Sequence, residues 1–246
     1  MNTREATTTA INADVLDDLL SACRLSDNLG LTEGFGHISS RSTAPEYLLI
    51  TPRTAPGLIR EATEFIHYRP AEPSDDQLAQ LPPERHIHEQ IYDARPDVNA
   101  VLRFHGPWTL ALSTVVDAVH PTVGYGAYLG AHVPVHADPR LIRTPEAGAR
   151  LAGTLAAGTA VILRGNGAVS TGTTVREALV RAVWLEGTAR AVLQASALGT
   201  PMSLIGDEIA AFADIPDKSR QIDRAWAYYC TRQDVGAHQK GQNNGR

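Results

Sequence analysis

At 246 residues, 43% hydrophobic and 20% charged, the chain can bury one sizeable core and has the make-up of an ordinary soluble globular protein. A net charge of −5 argues against nucleic acid as a partner, because phosphate binding needs a basic face. No run of about 18 apolar residues and no signal-peptide pattern is found, so neither a membrane partner nor export is expected, and the expected location is cytoplasmic.

Residues 1–11 are polar and threonine-rich and read as a flexible arm. Asp14 to Asn28 carries Val15, Leu19 and Cys23, and also Leu16 and Leu20, at helical spacing, with Gly30 as its stop. Gly34-Phe35-Gly36-His37-Ile38-Ser39-Ser40-Arg41 leads from two glycines into a strand-like alternation. Tyr47 to Ile50 predicts a second strand, turned out by Thr51-Pro52-Arg53, and Ala62 to Tyr68 a third. Residues 69–83 hold four prolines and three acids, the composition of a surface loop.

Leu81 to Trp108 is the densest stretch. After Pro82-Pro83, a helix is predicted over Glu84 to Ala94, ended by Arg95-Pro96-Asp97, because the residue before proline is pushed out of the helical region. Val98 to Leu102 then reads as a buried strand delivering Arg103, Phe104 and His105 to its end. A carboxylate (Glu84), three imidazoles (His86, His88, His105) and a guanidinium (Arg103) thus fall within 22 residues. A helix start and a strand end can bring such groups to one cleft.

Further on, Trp108 to Val116 is predicted helical, and His132 to His136 an edge strand, since Pro134 cannot donate to a ladder. Thr144-Pro145 starts a helix to about Ala157. Ala160 to Arg164 is a buried strand, broken by Gly165-Asn166-Gly167 and resumed at Ala168 to Ser170. Thr174 caps a long helix over Val175 to about Leu198, with Glu177 completing a capping box. Residues 207–232 read as helical with a break at Ile215-Pro216, and 233–246 as a disordered tail. Cys23 and Cys230, far apart and without CxxC spacing, are expected as reduced thiols. The whole reads as one α/β domain over 12–232, with a mixed or antiparallel sheet favoured by the short turns early in the chain.

Several segments together resemble the class II aldolase/adducin family: Gly36-His37-Ile38-Ser39, Thr51-Pro52, Glu84 to His88 followed by Tyr92 and Arg95-Pro96-Asp97, Arg103-Phe104-His105, Gly165-Asn166-Gly167, and Glu186 on the long helix. The resemblance implies a central, mainly antiparallel sheet flanked by helices. It also implies a homotetramer with the site at the subunit interface, and, in metal-dependent members, a divalent ion on three histidines. The Pro-Pro-Glu-Arg segment looks more like the branch holding aromatic-acid decarboxylases and antibiotic-pathway enzymes.

The chain departs from the three-histidine pattern, since Arg103 and Asn166 flank His105 in the ligand positions. Protonated arginine has no lone pair, and asparagine is a poor zinc ligand. The expectation is therefore a lyase working on a small, non-phosphorylated hydroxy or keto acid by decarboxylation, retro-aldol cleavage or a related elimination or cyclisation. Glu84 and His105 would exchange protons, Arg103 would take the cation's role, and Asn166 would orient an oxyanion. His37, Ser39, Thr51, His88, Tyr125 and Tyr128 would contact substrate. No cofactor is expected; the alternative is a divalent zinc, iron or manganese held by His105, His88 and His37. Two other readings stay open: a non-catalytic adducin-like assembly protein, and a non-haem iron oxygenase, which needs those histidines to converge.

Overall fold

The computed structural model describes residues 12–213 and 218–243. The first helix, α1 (Ala13–Asn28), starts where the Asn12 side chain accepts from the Asp14 N–H, and Gly30 follows it at φ 69°. Eight strands come next in the chain: β1 (His37–Arg41), β2 (Leu48–Ile50), β3 (Ile66–Tyr68), β4 (Ala100–Phe104), β5 (Ala118–Val119), β6 (Val133–His136), β7 (Ala160–Leu163) and β8 (Ala168–Gly172). They form one sheet in the order β3-β2-β1-β4-β8-β7-β6-β5, antiparallel throughout except for the β6–β7 pair. The mainly antiparallel sheet agrees with the expectation from the chain's turns.

Two apolar layers cover it. On one face Ala100, Leu102 and Phe104 of β4 pack with α1 and the long helix α6 (Val175–Ser196). On the other, Val101 of β4 packs with Ile87 and Ile91 of α3 (His86–Ala94) and with Leu151 and Leu155 of α5 (Pro145–Leu155). The period-two alternation of a strand sorts successive β4 residues between these layers. Arg103 therefore falls on the α3 face, where its side chain has no exposure.

The remaining helices are α2 (Asp75–Gln80), α4 (Pro107–Leu112), α7 (Gly206–Ala213) and α8 (Lys218–Asn243). Several boundaries differ from the sequence reading. The supposed loop 69–83 contains α2, because Ser74 and Gln77 form a reciprocal capping box that outweighs the flanking prolines. Ala62–Glu64 is a 3-10 turn, and only Ile66–Tyr68 pairs as strand. The helix after Trp108 stops at Leu112. β6 is one strand in from the edge: the two-residue β5 lies beyond it, with Ala118 opposite Pro134. At α6, Thr174 caps the Glu177 N–H as expected, but the Glu177 carboxylate accepts from Thr173 rather than closing the box on Thr174.

The backbone of α8 stays helical to Asn243, where a disordered tail was expected from 233. Helix elongation adds one hydrogen bond per residue once the packed turn around Ile222 and Trp226 is fixed. The arm at 1–11 and the break at Ile215-Pro216 lie outside the described residues. Neither Cys23 nor Cys230 is in a disulfide.

The entry to β1 is set by backbone contact. Gly36 has φ 104°, and a Cβ there would sit 2.6 Å from the Arg103 carbonyl oxygen. Gly36→Ala is expected to cost about 2–3 kcal/mol, since both the left-handed φ and the contact oppose a side chain. A urea unfolding curve reads this as a lower midpoint at unchanged slope.

Candidate active site

His37 of β1 lies opposite Arg103 of β4, and Ser39 lies opposite Val101. Alternation along β1 puts His37, Ser39 and Arg41 on the Arg103 face. Over that face lies α3, with His88 and Tyr92 one turn apart and aimed at the sheet. The Ile87 N–H donates to the Glu84 carbonyl, so the chain already winds before α3 begins, and Glu84 falls in the same row as His88 and Tyr92.

A cavity of about 500 Å³ opens at this end of β1 and β4. His37, Glu84, His105 and Asn166 line it, with Arg53 and Arg143; Phe35, Pro52, Pro82, Pro83 and Leu141 give it apolar walls. Glu84 is the one carboxylate on its wall among the described residues. One Glu84 oxygen accepts from the Ile142 N–H at 3.1 Å, and the other lies 3.8 Å from the Arg103 guanidinium.

Arg103 sits beneath the cavity and does not line it. Its guanidinium donates to the Phe104 carbonyl at 2.7 Å and to the Asn166 carbonyl at 2.5 Å, while Nε has no partner. Burial lowers its pKa and Glu84 raises it, but an arginine stays charged at any relevant pH. The turn that supplies the Asn166 carbonyl depends on Gly165 at φ 67° and Gly167 at φ 85°, and a Cβ on Gly167 would meet the Phe104 carbonyl and the Arg103 guanidinium. A buried cation held by main-chain oxygens is thus built into the floor.

That cation and burial act on the imidazoles. Burial, then Arg103, pulls the His105 pKa down to about 3, and His88 likewise to about 3. Burial and the neighbouring His88, Arg103 and His105 hold His37 well below the ordinary value. All three rings are neutral at pH 7. A neutral His105 carries no extra proton to deliver at that pH, so in the expected exchange with Glu84 its part is that of the acceptor. His105 Nδ1 and Asn166 Nδ2 are buried without a partner, so the floor has unused hydrogen-bonding capacity.

The other expected substrate contacts scatter. Behind His37, its Nδ1 meets His88 Nε2 at 2.5 Å, His88 Nδ1 meets the Ser39 hydroxyl at 2.6 Å, and that hydroxyl meets the Tyr92 hydroxyl at 2.8 Å. Ser39 and His88 support the wall rather than form it. Thr51 is fully buried and its hydroxyl accepts from the Ile38 N–H, tying the turn to β1. Tyr125 and Tyr128 are not on this cavity: their 3-10 turn packs on α6, with the Tyr125 hydroxyl against Gly187 and Tyr128 stacked on Trp184 at 4.8 Å. Glu186 accepts from the Trp108 and Thr109 N–H groups and the Thr109 hydroxyl, so it caps α4. His86 faces away from His88 and pairs with Glu89 at 2.7 Å.

Sequence reasoning gave Arg53 and Arg143 no role. Arg53 follows the Thr51-Pro52 turn, where a signal was visible; Arg143 precedes the α5 cap with nothing local to mark it. Both side chains are exposed at the cavity.

The donor set does not fit a divalent ion. In the three positions that the resemblance gives to metal-binding imidazoles, a fixed guanidinium repels a cation and offers no lone pair, leaving one imidazole and one amide there. His88 has both ring nitrogens hydrogen-bonded, so it cannot join His37 and His105 as a ligand. Among the described residues no group of three or more His, Cys, Asp or Glu is placed to hold a metal. The three-histidine alternative, and the iron oxygenase reading that needs it, lack their ligands.

Residues 17–193 match the family described as class II aldolase and adducin N-terminal domain. The chain belongs to this family. It is 31% identical over 208 residues to a 3,4-dihydroxyphthalate decarboxylase from Terrabacter sp. (strain DBF63), covering 79% of this chain and 87% of that one. It is 27% identical over 186 residues to the decarboxylase tropJ of Talaromyces stipitatus (strain ATCC 10500 / CBS 375.48 / QM 6759 / NRRL 1006), covering 67% and 70%. An L-fuculose 1-phosphate aldolase structure superposes with a TM-score of 0.74 at 20% identity, covering 83% and 97%, which establishes the shared fold. Within this family the chain is a lyase-type enzyme. Among the described residues no helix is long and apolar enough to cross a membrane.

The neutral buried imidazoles predict how stability depends on pH. A histidine whose folded pKa lies below its unfolded value near 6.5 contributes stability that is present above pH 6.5 and lost as pH falls toward the folded value. The free energy of unfolding in urea is expected to drop steadily from pH 7 to pH 4. His88→Gln removes one of these groups and should flatten that drop.

Proposed function

We propose that the chain is a decarboxylase for a small, non-phosphorylated hydroxylated carboxylic acid, with an aromatic acid as the favoured class. The observation that carries this reading is the cavity floor: a buried guanidinium 3.8 Å from the one carboxylate that the described residues place on the wall, next to two buried polar groups without partners. The relatives named for decarboxylation, one of them for a dihydroxyphthalate, favour this reaction over aldol cleavage. Arg53 and Arg143 at the cavity suit an anionic substrate, since guanidinium forks bind carboxylates in two-point contact. Phe35 and the prolines suit a flat apolar body.

The chemistry needs one proton and a place for negative charge. The bond from the substrate carbon to its carboxylate breaks first, its electron pair stays on the substrate framework, and carbon dioxide leaves. Glu84 in its acid form then gives its proton to that carbon. The new C–H bond holds the proton from Glu84, which is recharged from solvent through its partly exposed face. During the step, charge shifts onto the hydroxyl-bearing part of the substrate. Arg103 supplies a fixed positive potential from below, where low dielectric strengthens it, and Asn166 Nδ2 and His37 offer hydrogen bonds to oxygen. No metal enters this sequence of steps. We place the working form as a homotetramer with the cavity at the subunit interface.

Two measurements test the reading. With carboxyl-labelled hydroxybenzoates and 3,4-dihydroxyphthalate as candidate substrates, wild type is expected to release labelled carbon dioxide. Glu84→Gln should lower kcat by about 10²–10⁴-fold with a small change in KM. Arg53→Ala with Arg143→Ala should instead raise KM. Elemental analysis of active enzyme after EDTA should find less than one metal ion per ten chains with turnover retained. A stoichiometric ion required for turnover removes the metal-free mechanism, and a Glu84→Gln enzyme at full rate removes the proton donor.

A further inference from the structure

The buried chain Tyr92–Ser39–His88–His37 has a direction that its proton count fixes. Its three contacts each need one donor. Burial keeps both imidazoles neutral, so each ring carries a single N–H, and each hydroxyl carries a single O–H. If His88 carries its proton on Nε2, it donates to His37 Nδ1. The Ser39 hydroxyl then donates to His88 Nδ1, and the Tyr92 hydroxyl donates to Ser39. Every buried proton has an acceptor, and the one left over is on His37 Nε2, the ring nitrogen turned to the cavity.

If His88 carries its proton on Nδ1, the chain runs the other way. His37 Nδ1 donates to His88, and His88 donates to Ser39. One hydroxyl proton of the Ser39–Tyr92 pair is then stranded. Ser39 is fully buried and Tyr92 nearly so; their hydroxyls' side-chain partners are each other and His88, and the further group acting on the Tyr92 oxygen, the Val101 N–H, is a donor. An unmet buried proton is costly, so the first direction is the stable one.

We infer that Ser39 and His88 hold His37 as the Nε2–H tautomer, which makes His37 a fixed hydrogen-bond donor to a ligand oxygen in the cavity. Ser39 and His88 are positioning residues: they do not touch the cavity contents and act by choosing which nitrogen of His37 carries the proton. His37 in this form has no lone pair facing the cavity, so it neither ligates a cation nor takes a proton from substrate. It selects for an oxygen acceptor. The inference stands on hydrogen-bond geometry and does not depend on which reaction the cavity performs.

The test is two-bond ¹H–¹⁵N correlation on the full chain with ¹⁵N-labelled histidine at pH 7, the His37 and His88 signals being identified by their loss in His37→Gln and His88→Gln. The expected pattern in wild type is a protonated Nε2 and bare Nδ1 on both rings. Two substitutions separate direction from packing. In Tyr92→Phe the Ser39 proton still has only His88 to receive it, so both rings should keep the Nε2–H form. In Ser39→Ala nothing donates to His88 Nδ1, so His88 and His37 should move to a mixture of tautomers, and Ser39→Thr should restore the wild-type pattern. An Nδ1–H signal for His37 in wild type overturns the inference without need of any variant. So does a Ser39→Ala protein whose two rings keep a single Nε2–H form.

Discussion

The constraint on which the site depends is the burial of one guanidinium. Arg103 has no side-chain exposure, and a charge in that position is tolerated only where oxygen atoms surround it. Two of its partners are main-chain carbonyls, from its own strand end and from the Gly165-Asn166-Gly167 turn, and its carboxylate neighbour is at the outer limit of an ion pair. Local geometry follows from that need. The turn takes two left-handed glycines so that its carbonyl can reach the guanidinium, and Gly36 lets β1 press against the Arg103 backbone. The fold commits several backbone positions to a cation that a structural ion pair would hold with one acid.

The same charge explains why the imidazoles here behave as hydrogen-bonding groups. Each of His37, His88 and His105 lies near enough to Arg103 for its field to add to the effect of burial, and all three stay neutral. Glu84, the carboxylate that the described residues place at the cavity, has its two oxygens engaged differently, one by a main-chain N–H and the other facing the guanidinium at 3.8 Å. A permanent cation beneath the cavity, with neutral hydrogen-bonding groups around it, is an arrangement that favours negative charge there.

Much of this was legible in the sequence, and the limits have physical causes. Strand ends, breaks and caps are local: Gly165-Asn166-Gly167, Thr144-Pro145 and Thr174 all act where their chemistry put them. The convergence of Glu84, Arg103, His105, Asn166 and His37 was legible because a family resemblance supplied the long-range pairing that spacing alone does not. Tyr125 and Tyr128 lie away from the cavity of their own chain, and a glycine-rich 3-10 turn carries no periodicity to say which sheet face it covers. Ser74 and Gln77 do form a signature of a helix start, and the prolines around them hid it. Arg143 had no local mark at all; it reaches the cavity only because the segment before α5 folds back against Glu84 through the Ile142 N–H.

The positions of His88 and Tyr92 show how strand and helix periods combine. A strand presents every second residue to one face, so His37 and Ser39 are neighbours there; a helix presents every fourth, so His88 and Tyr92 are neighbours on α3. Set against each other, the two rows alternate into one continuous line of polar groups on the sheet face that the α3 apolar cluster covers. Such a line is stable only if every member is satisfied, because a half-satisfied buried network is worse than an apolar one. Satisfying it leaves one proton over, and the only place with room for that proton is the cavity wall. The polarity of the wall is therefore decided in the core, by groups that no substrate reaches.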